Sequence, residues 1–252
     1  MGKLRPPSRR LGLVWQFNRA VIKPLLFLLS KRDWRDADRI PQQGGAILVL
    51  NHISHIDPLL AGLLAWDCGR IPRFLAKSSL FGRSRLLDWW LIGGGQVPVD
   101  RSSGAAGFQA AIDVVNAGDL LVVYVEGSIT KDPTGWPMRP KTGAARIALI
   151  TGAPVIPVGQ WGAQELLPPY SRRLSLKRPH IHFSVGHEVN LIDLVGRAGD
   201  PDAVREATDR IMSAIVERVE DLRGQKAPAD RYDPLMHGQS ATGRPNNSRC
   251  RR

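Results

Sequence analysis

The sequence predicts a single α/β domain with a largely parallel or mixed sheet flanked by helices. Two observations carry that expectation. From Ala46 onward, short apolar runs alternate with helix-length stretches, the pattern of a layered α/β structure. The chain has 252 residues, 43% hydrophobic and 23% charged, which suffices to bury a real core and excludes bulk disorder.

The first element is a basic arm over residues 1–35, with apolar residues dense across 9–32 but interrupted by Arg19, Lys23 and Pro24. The longest unbroken apolar run is 25–29, far short of the ~20 residues that span a bilayer. No small-residue cleavage site follows Leu29, so the stretch does not read as a signal peptide. Leu11, Trp15, Val21, Ile22, Leu25 and Leu29 fit one side of a kinked helix flanked by cations. That pattern suits a helix lying in a membrane interface; the plainer alternative is an arm packed on its own domain, and the charge and aromatics that accompany the apolar face favour the membrane.

The folded domain is expected over 36–224. Strands are predicted at 46–50, 73–76, 96–99, 120–125, 155–158 and 180–185. The last alternates His180, His182 and Ser184 with Ile181, Phe183 and Val185, as a half-exposed strand should. Helices are predicted near 58–66, 84–91, 105–116 and 143–151, and a final one at 202–222 places Val204, Ile211, Ile215, Val219 and Leu222 on one face. Residues 225–252, rich in Pro, Gly, Asn, Ser and Arg, read as a disordered basic tail.

Charge is distributed unevenly. Residues 1–35 carry nine Lys/Arg and one Asp, 226–252 carry six and two, and the stretch between holds twenty of each sign. A nucleic-acid-binding domain normally bears its basic stripe on the folded body. Basic ends around a neutral body suit an anionic lipid surface at least as well. Two cysteines, Cys68 and Cys250, lie 182 positions apart, which excludes a disulfide scaffold and a Cys-rich zinc module.

Chemistry concentrates at 51–58, Asn-His-Ile-Ser-His-Ile-Asp-Pro, directly after the strand at 46–50. In a parallel sheet, active sites collect at strand C-terminal ends. His52 and Asp57 are five residues apart, about 500° around a straight helix, so they meet only if the chain turns between them. With the Asp opening the next helix, its carboxylate accepts from Nδ1–H and leaves Nε2 as a general base. For an isolated His-x4-Asp, a loop histidine beside a helix-capping Asp is the plainer reading. Ser54 and His55 lie beside the pair, but there is no Gly-x-Ser-x-Gly elbow and no third cluster to complete a metal site. No glycine-rich nucleotide loop is present either.

Three further blocks follow in order: Gly95-Gln96-Val97-Pro98-Val99-Asp100-Arg101, Val125-Glu126-Gly127-Ser128, and Pro154-Val155-Ile156-Pro157-Val158. With Asn51–Asp57 they make the chain resemble the 1-acylglycerol-3-phosphate acyltransferase family, whose blocks are Asn-His-x4-Asp, Gly-x-[Ile/Val]-x-x-x-Arg, Pro-Glu-Gly-Thr-Arg and Val-Ile-Pro-Val. The resemblance covers about residues 11–223. It implies that His52 deprotonates the acceptor hydroxyl, that Asp57 orients His52, and that Arg101 binds the acceptor phosphate. Gly95, Glu126, Gly127 and Ser128 are implied on the substrate side, with Glu126 either bonding the acceptor or propping the site. The implied reaction moves a fatty acyl group from acyl-CoA, or from acyl carrier protein, to a lysophospholipid hydroxyl. It needs no cofactor or metal, involves no nucleic acid, and takes place on the cytoplasmic side of the cell membrane, with the protein peripheral to its lipids. The chain departs from the family at Val125, Ser128 and Ile129, where Pro, Thr and Arg are usual. Ile129 cannot bind phosphate, so Lys131, Arg139 or Lys141 supplies the charge or the acceptor carries another head group. A non-catalytic lipid-binding protein is the rival class. Trp136 reads as a packing residue or as a marker of an acceptor-side loop.

Overall fold

The computed structural model describes residues 12–99, 105–171, 173–241 and 243. The expectations placed on Leu11, on Arg101 and on the last residues of the tail lie outside them. A seven-stranded sheet has the order β1-β7-β6-β2-β5-β3-β4. Its strands are β1 (Lys31–Arg35), β2 (Ala46–Leu50), β3 (Pro72–Lys77), β4 (Val97–Val99), β5 (Leu120–Tyr124), β6 (Val155–Trp161) and β7 (His180–Val185). All neighbours pair in parallel except β6 and β7. The sheet is thus mixed, as expected, and β2 through β6 end at one edge.

The central strand shows why the apolar run at 46–50 is unbroken. Every residue of β2 is buried, because helices cover both faces. Ile47 and Val49 pack in one core with α5 (Ala105–Asn116), α6 (Gly143–Thr151) and α8 (Pro201–Arg223). Ala46, Leu48 and Leu50 pack in the other with α3 (Asp57–Asp67). The chain is a three-layer α/β/α domain. Asp200 caps α8 by accepting from the Asp202 and Ala203 N–H groups, and Gly224 ends it in the left-handed conformation.

The arm folds as α1 (Leu13–Phe17) and α2 (Lys23–Leu29), joined by a π turn at Asn18–Ile22. Pro24 has no N–H to donate, and the ladder widens just ahead of it, with Lys23 N–H reaching Asn18 O. Part of the arm packs on its own domain. Val14, Trp15 and Leu26 are buried, and Trp15 stacks on Trp66 at 5.7 Å. Trp15 therefore leaves the lipid-facing side assigned to it, whereas Leu13, Phe17, Val21, Leu25, Phe27 and Leu28 stay exposed.

Residues 31–35, counted with the arm for their charge, instead form edge strand β1. It is held by pairing with β7, by Asp33 on His182 Nδ1 at 2.9 Å and by Trp34 against Phe183. Buried Asp67 ties arm and strand to α3, accepting from Lys23 Nζ at 2.7 Å, Arg32 Nη1 at 2.9 Å and Trp34 Nε1 at 3.1 Å. The disordered tail expected from residue 225 is corrected over 225–240, which fold back onto the domain. Its polar residues find fixed partners there: Arg231 pairs with Asp209, Asp233 with Arg139, and Tyr232 O accepts from Arg139 N–H. On β7 the expected alternation holds at His180 and fails at Ser184, which is buried two residues before Gly186, where the chain packs against Arg218 of α8.

Candidate active site

The site forms where β2 and β5 end side by side, with Leu50 paired to Tyr124. Past Leu50 the chain turns, and Asp57 opens α3. The turn brings His52 and Asp57 together as the spacing required: Nδ1 to Oδ2 is 2.8 Å. The same Oδ2 accepts from the Ile53 and Ser54 N–H groups, each at 2.7 Å. A carboxylate only accepts, so the Nδ1 bond places the proton on Nδ1. Asp57 is fully buried, while the His52 side chain keeps 16% of its exposure. Nε2 carries no partner among the described residues. Such a pair has the chemistry of a general base, with the Nε2 lone pair unclaimed among the described residues.

Glu126 props this arrangement. It is fully buried, with Oε1 accepting from His52 N–H at 2.7 Å and Oε2 from Met138 N–H at 2.9 Å. Each oxygen holds a backbone N–H, which favours the prop over the substrate contact among the two roles left open by the sequence. Burial pushes its carboxyl up to about 8, against the pull of the Met138 and His52 N–H bonds. Gly127 turns at φ +71° beside it, a conformation that favours glycine. Ser128 Oγ is buried with no hydrogen-bond partner among the described residues. Thr130 N–H closes the loop onto His52 O at 2.7 Å.

Gly95 is not in the site. It precedes β4, whose C-terminal end is the one that lies with the other strand ends, so Gly95 sits at the opposite edge of the sheet. There its φ is +69°, and a Cβ would collide with the Arg73 guanidinium, which bonds Gly94 O and Asp119. Its role is packing. Ser54 Oγ donates to Leu167 O at 2.6 Å, which commits its proton to structure. Trp136 is a packing residue: it is buried and stacks on Arg223, whose other face meets Trp161.

Three contributors escaped the sequence reading. Tyr124 stacks on the His52 ring at 4.3 Å and 26°. Asn51 locks the end of β2 to β6, donating to Gln160 O and accepting from Gln160 N–H, while Gln160 Nε2 bonds Asn51 O. For Asn51 the signal was its place beside His52. Tyr124 and Gln160 reach the site only through sheet pairing, which no local spacing reveals.

Residues 31–161 match the Acyltransferase family, and the chain belongs to it. Among curated proteins, a 1-acyl-sn-glycerol-3-phosphate acyltransferase of Borreliella burgdorferi is 33% identical over 144 residues, or 56% of this chain. The chain spans about half the length of that relative, 55%. The fold is similar to the crystal structure of the 1-acyl-sn-glycerophosphate acyltransferase PlsC of Thermotoga maritima, with a TM-score of 0.67 and 20% identity, over 86% of this chain and 82% of that one.

Proposed function

We propose that this chain is a 1-acylglycerol-3-phosphate O-acyltransferase of phospholipid biosynthesis. It moves a fatty acyl group from acyl-CoA to the free hydroxyl of 1-acylglycerol-3-phosphate and forms phosphatidate. The observation that carries the reading is the His52–Asp57 pair, buried at one end and open at Nε2. His52 Nε2 takes the hydroxyl proton as that oxygen attacks the thioester carbonyl. Thiolate leaves from the tetrahedral intermediate, and the imidazolium returns a proton to it. Asp57 stabilises the imidazolium through Nδ1–H, and because the acceptor oxygen attacks the thioester directly, no covalent acyl-enzyme is required. Arg101 is assigned the acceptor phosphate by its place in the second block. Arg101→Ala is expected to raise the acceptor KM about 10- to 150-fold, the loss of one charge-assisted hydrogen bond, and to spare the acyl-CoA KM.

The enzyme is proposed to work as a peripheral protein on the cytoplasmic side of the cell membrane, on acceptor held in the bilayer. No helix among the described residues is long and apolar enough to cross a membrane. An exposed apolar stripe instead runs along the arm at Leu13, Phe17, Val21, Leu25 and Leu28. It continues onto α4 (Arg85–Gly93) through Leu86, Trp89 and Ile92, joined by an edge contact between Phe17 and Trp89 at 5.8 Å. The loop carrying Arg173, Leu174, Leu176, Lys177 and Arg178 abuts α2, where Arg178 donates to Phe27 O. Cations beside exposed apolar side chains are the composition of a surface that docks on anionic lipid.

A second reading is favoured by one observation. Ile129 stands buried where the family carries arginine, which suits a lysophospholipid with another head group. The test is thiol release from a long-chain acyl-CoA, and from the acyl carrier protein thioester, against lysophosphatidate and choline- or ethanolamine-bearing lysophospholipids. Preference for lysophosphatidate is expected. Release only with the larger head groups would establish the second reading, and release with none would refute both.

A further inference from the structure

The turn after β5 lacks the cation that the third sequence block usually supplies. Ile129 is buried, and its carbonyl accepts from the Tyr170 hydroxyl at 2.7 Å. Its side chain offers an incoming anion neither charge nor a polar atom. Three cations follow it closely: Lys131, Arg139 and Lys141. Two of them are committed to the folded-back C-terminal segment. Lys131 is buried, and its ammonium donates to the carbonyl and hydroxyl of Ser240. The Arg139 guanidinium pairs with Asp233 at 2.6 Å, and the Arg139 backbone N–H donates to Tyr232 O.

Lys141 differs from both. It is exposed, and its ammonium makes no hydrogen bond or ion pair among the described residues. Asp233 feels its charge, but the close partner of that carboxylate is Arg139. The Lys141 backbone is fixed at the site, because its N–H donates to Val125 O at 2.7 Å, one residue before Glu126. Its side chain runs over Gly127: a Cβ on that glycine would lie 3.3 Å from Lys141 Cγ. Gly127 follows the carboxylate that holds His52 N–H. The ammonium is thus a charge on a flexible stem whose root lies over the bare backbone of Gly127, one residue from the carboxylate that holds His52 N–H.

We propose that Lys141 is a further specificity-determining residue, which binds the phosphate monoester of the acceptor alongside Arg101, in place of the arginine absent at Ile129. The proposal rests on the acyl-transfer reading and deepens it by naming a second residue that recognises the head group. A lysine ammonium is a point charge with three rotatable donors and lacks the planar fork of arginine. Recognition here is therefore of negative charge more than of phosphate geometry, and an arginine at this position should serve as well.

The experiment compares wild type, Lys141→Met and Lys141→Arg on two acceptors in the same mixed micelles: lysophosphatidate, and the 1-acylglycerol that lacks its phosphate. Thermal unfolding verifies that each variant folds. Lys141→Met is expected to raise the KM for lysophosphatidate about 10- to 150-fold, as for one charge-assisted hydrogen bond. The preference for lysophosphatidate over 1-acylglycerol should collapse by the same factor, with kcat and the acyl-CoA KM changing little. Lys141→Arg should restore the preference. An unchanged preference in Lys141→Met would overturn the proposal, and so would an equal loss on both acceptors. If wild type transfers acyl groups to neither, the acyl-transfer reading fails and this proposal with it, a result distinct from failure of the lysine alone.

Discussion

Three hydrogen bonds converge on one oxygen of Asp57, from His52 Nδ1, Ile53 N and Ser54 N. That convergence holds the tautomer of the base. Asp57→Asn replaces one acceptor oxygen with a donor group that would face donors in one of its two orientations. A loss of kcat with little change in KM is expected, measured by thiol release. Tyr124 makes a second kind of prediction, because it touches His52 only by its ring. Tyr124→Phe should keep activity, while Tyr124→Leu should lower kcat by letting the imidazole rotate. Equal activity in both would remove Tyr124 from the site. Glu126 gives a pH dependence. Its carboxyl is raised from 4.5 to about 8 in the folded protein, so the folded state holds a proton that the unfolded chain releases. Stability from this group is present below about 4.5 and is lost as pH rises toward about 8. Thermal unfolding of wild type should fall more steeply across that window than that of Glu126→Gln. The variant starts lower, because its amide turns a donor toward a backbone N–H. At this scale His52 and Asp57 were legible because a strand end and a short turn are local. Gly95 was misplaced because its side of the sheet depends on strand direction, and the role of Glu126 stayed open because Met138 reaches it from another loop.

Among the elements, the two buried on both faces by apolar runs, β2 and β5, were legible at once, and β1 was not. Its sequence, Lys-Arg-Asp-Trp-Arg, carries four charges in five residues, and only its partners make it a strand. Asp67 is the hinge of that region, since Lys23, Arg32 and Trp34 all end on it. Asp67→Ala leaves two cations and an indole N–H without their acceptor, and a lost hydrogen bond to a charged group costs roughly 1.5–3 kcal/mol. The arm should then be cut by protease within 12–30 well before the domain is. Cleavage as slow as in wild type would show that Trp15 and Leu26 alone hold it. The tail was misread for the opposite reason: its composition suits disorder, but Arg231, Tyr232 and Asp233 each meet a fixed partner on the domain.

Over the whole molecule, the proposed catalytic pair and the proposed lipid-docking surface lie on different parts of the fold. The dyad stands at the sheet edge, while the exposed stripe runs along the arm and α4. Two arm cations read from sequence as lipid contacts, Lys23 and Arg32, are instead paired with Asp67, so apolar residues carry more of the proposed docking. Deleting the arm would strip buried Trp15 and Leu26 from the core, so surface substitutions are the cleaner probe. Burying one such side chain contributes about 1.5–3 kcal/mol. Phe17→Ser, Leu28→Ser and Ile92→Ser together should therefore abolish flotation with anionic vesicles, at low and high salt alike. Flotation equal to wild type would place the lipid contact elsewhere. The claim on which all of this depends is that His52 is the base for acyl transfer. Its most direct test is thiol release by folded His52→Ala with acyl-CoA and lysophosphatidate, beside wild type. A fall in kcat of about 10²- to 10⁴-fold is predicted, with unfolding unchanged; turnover near that of wild type would contradict the account.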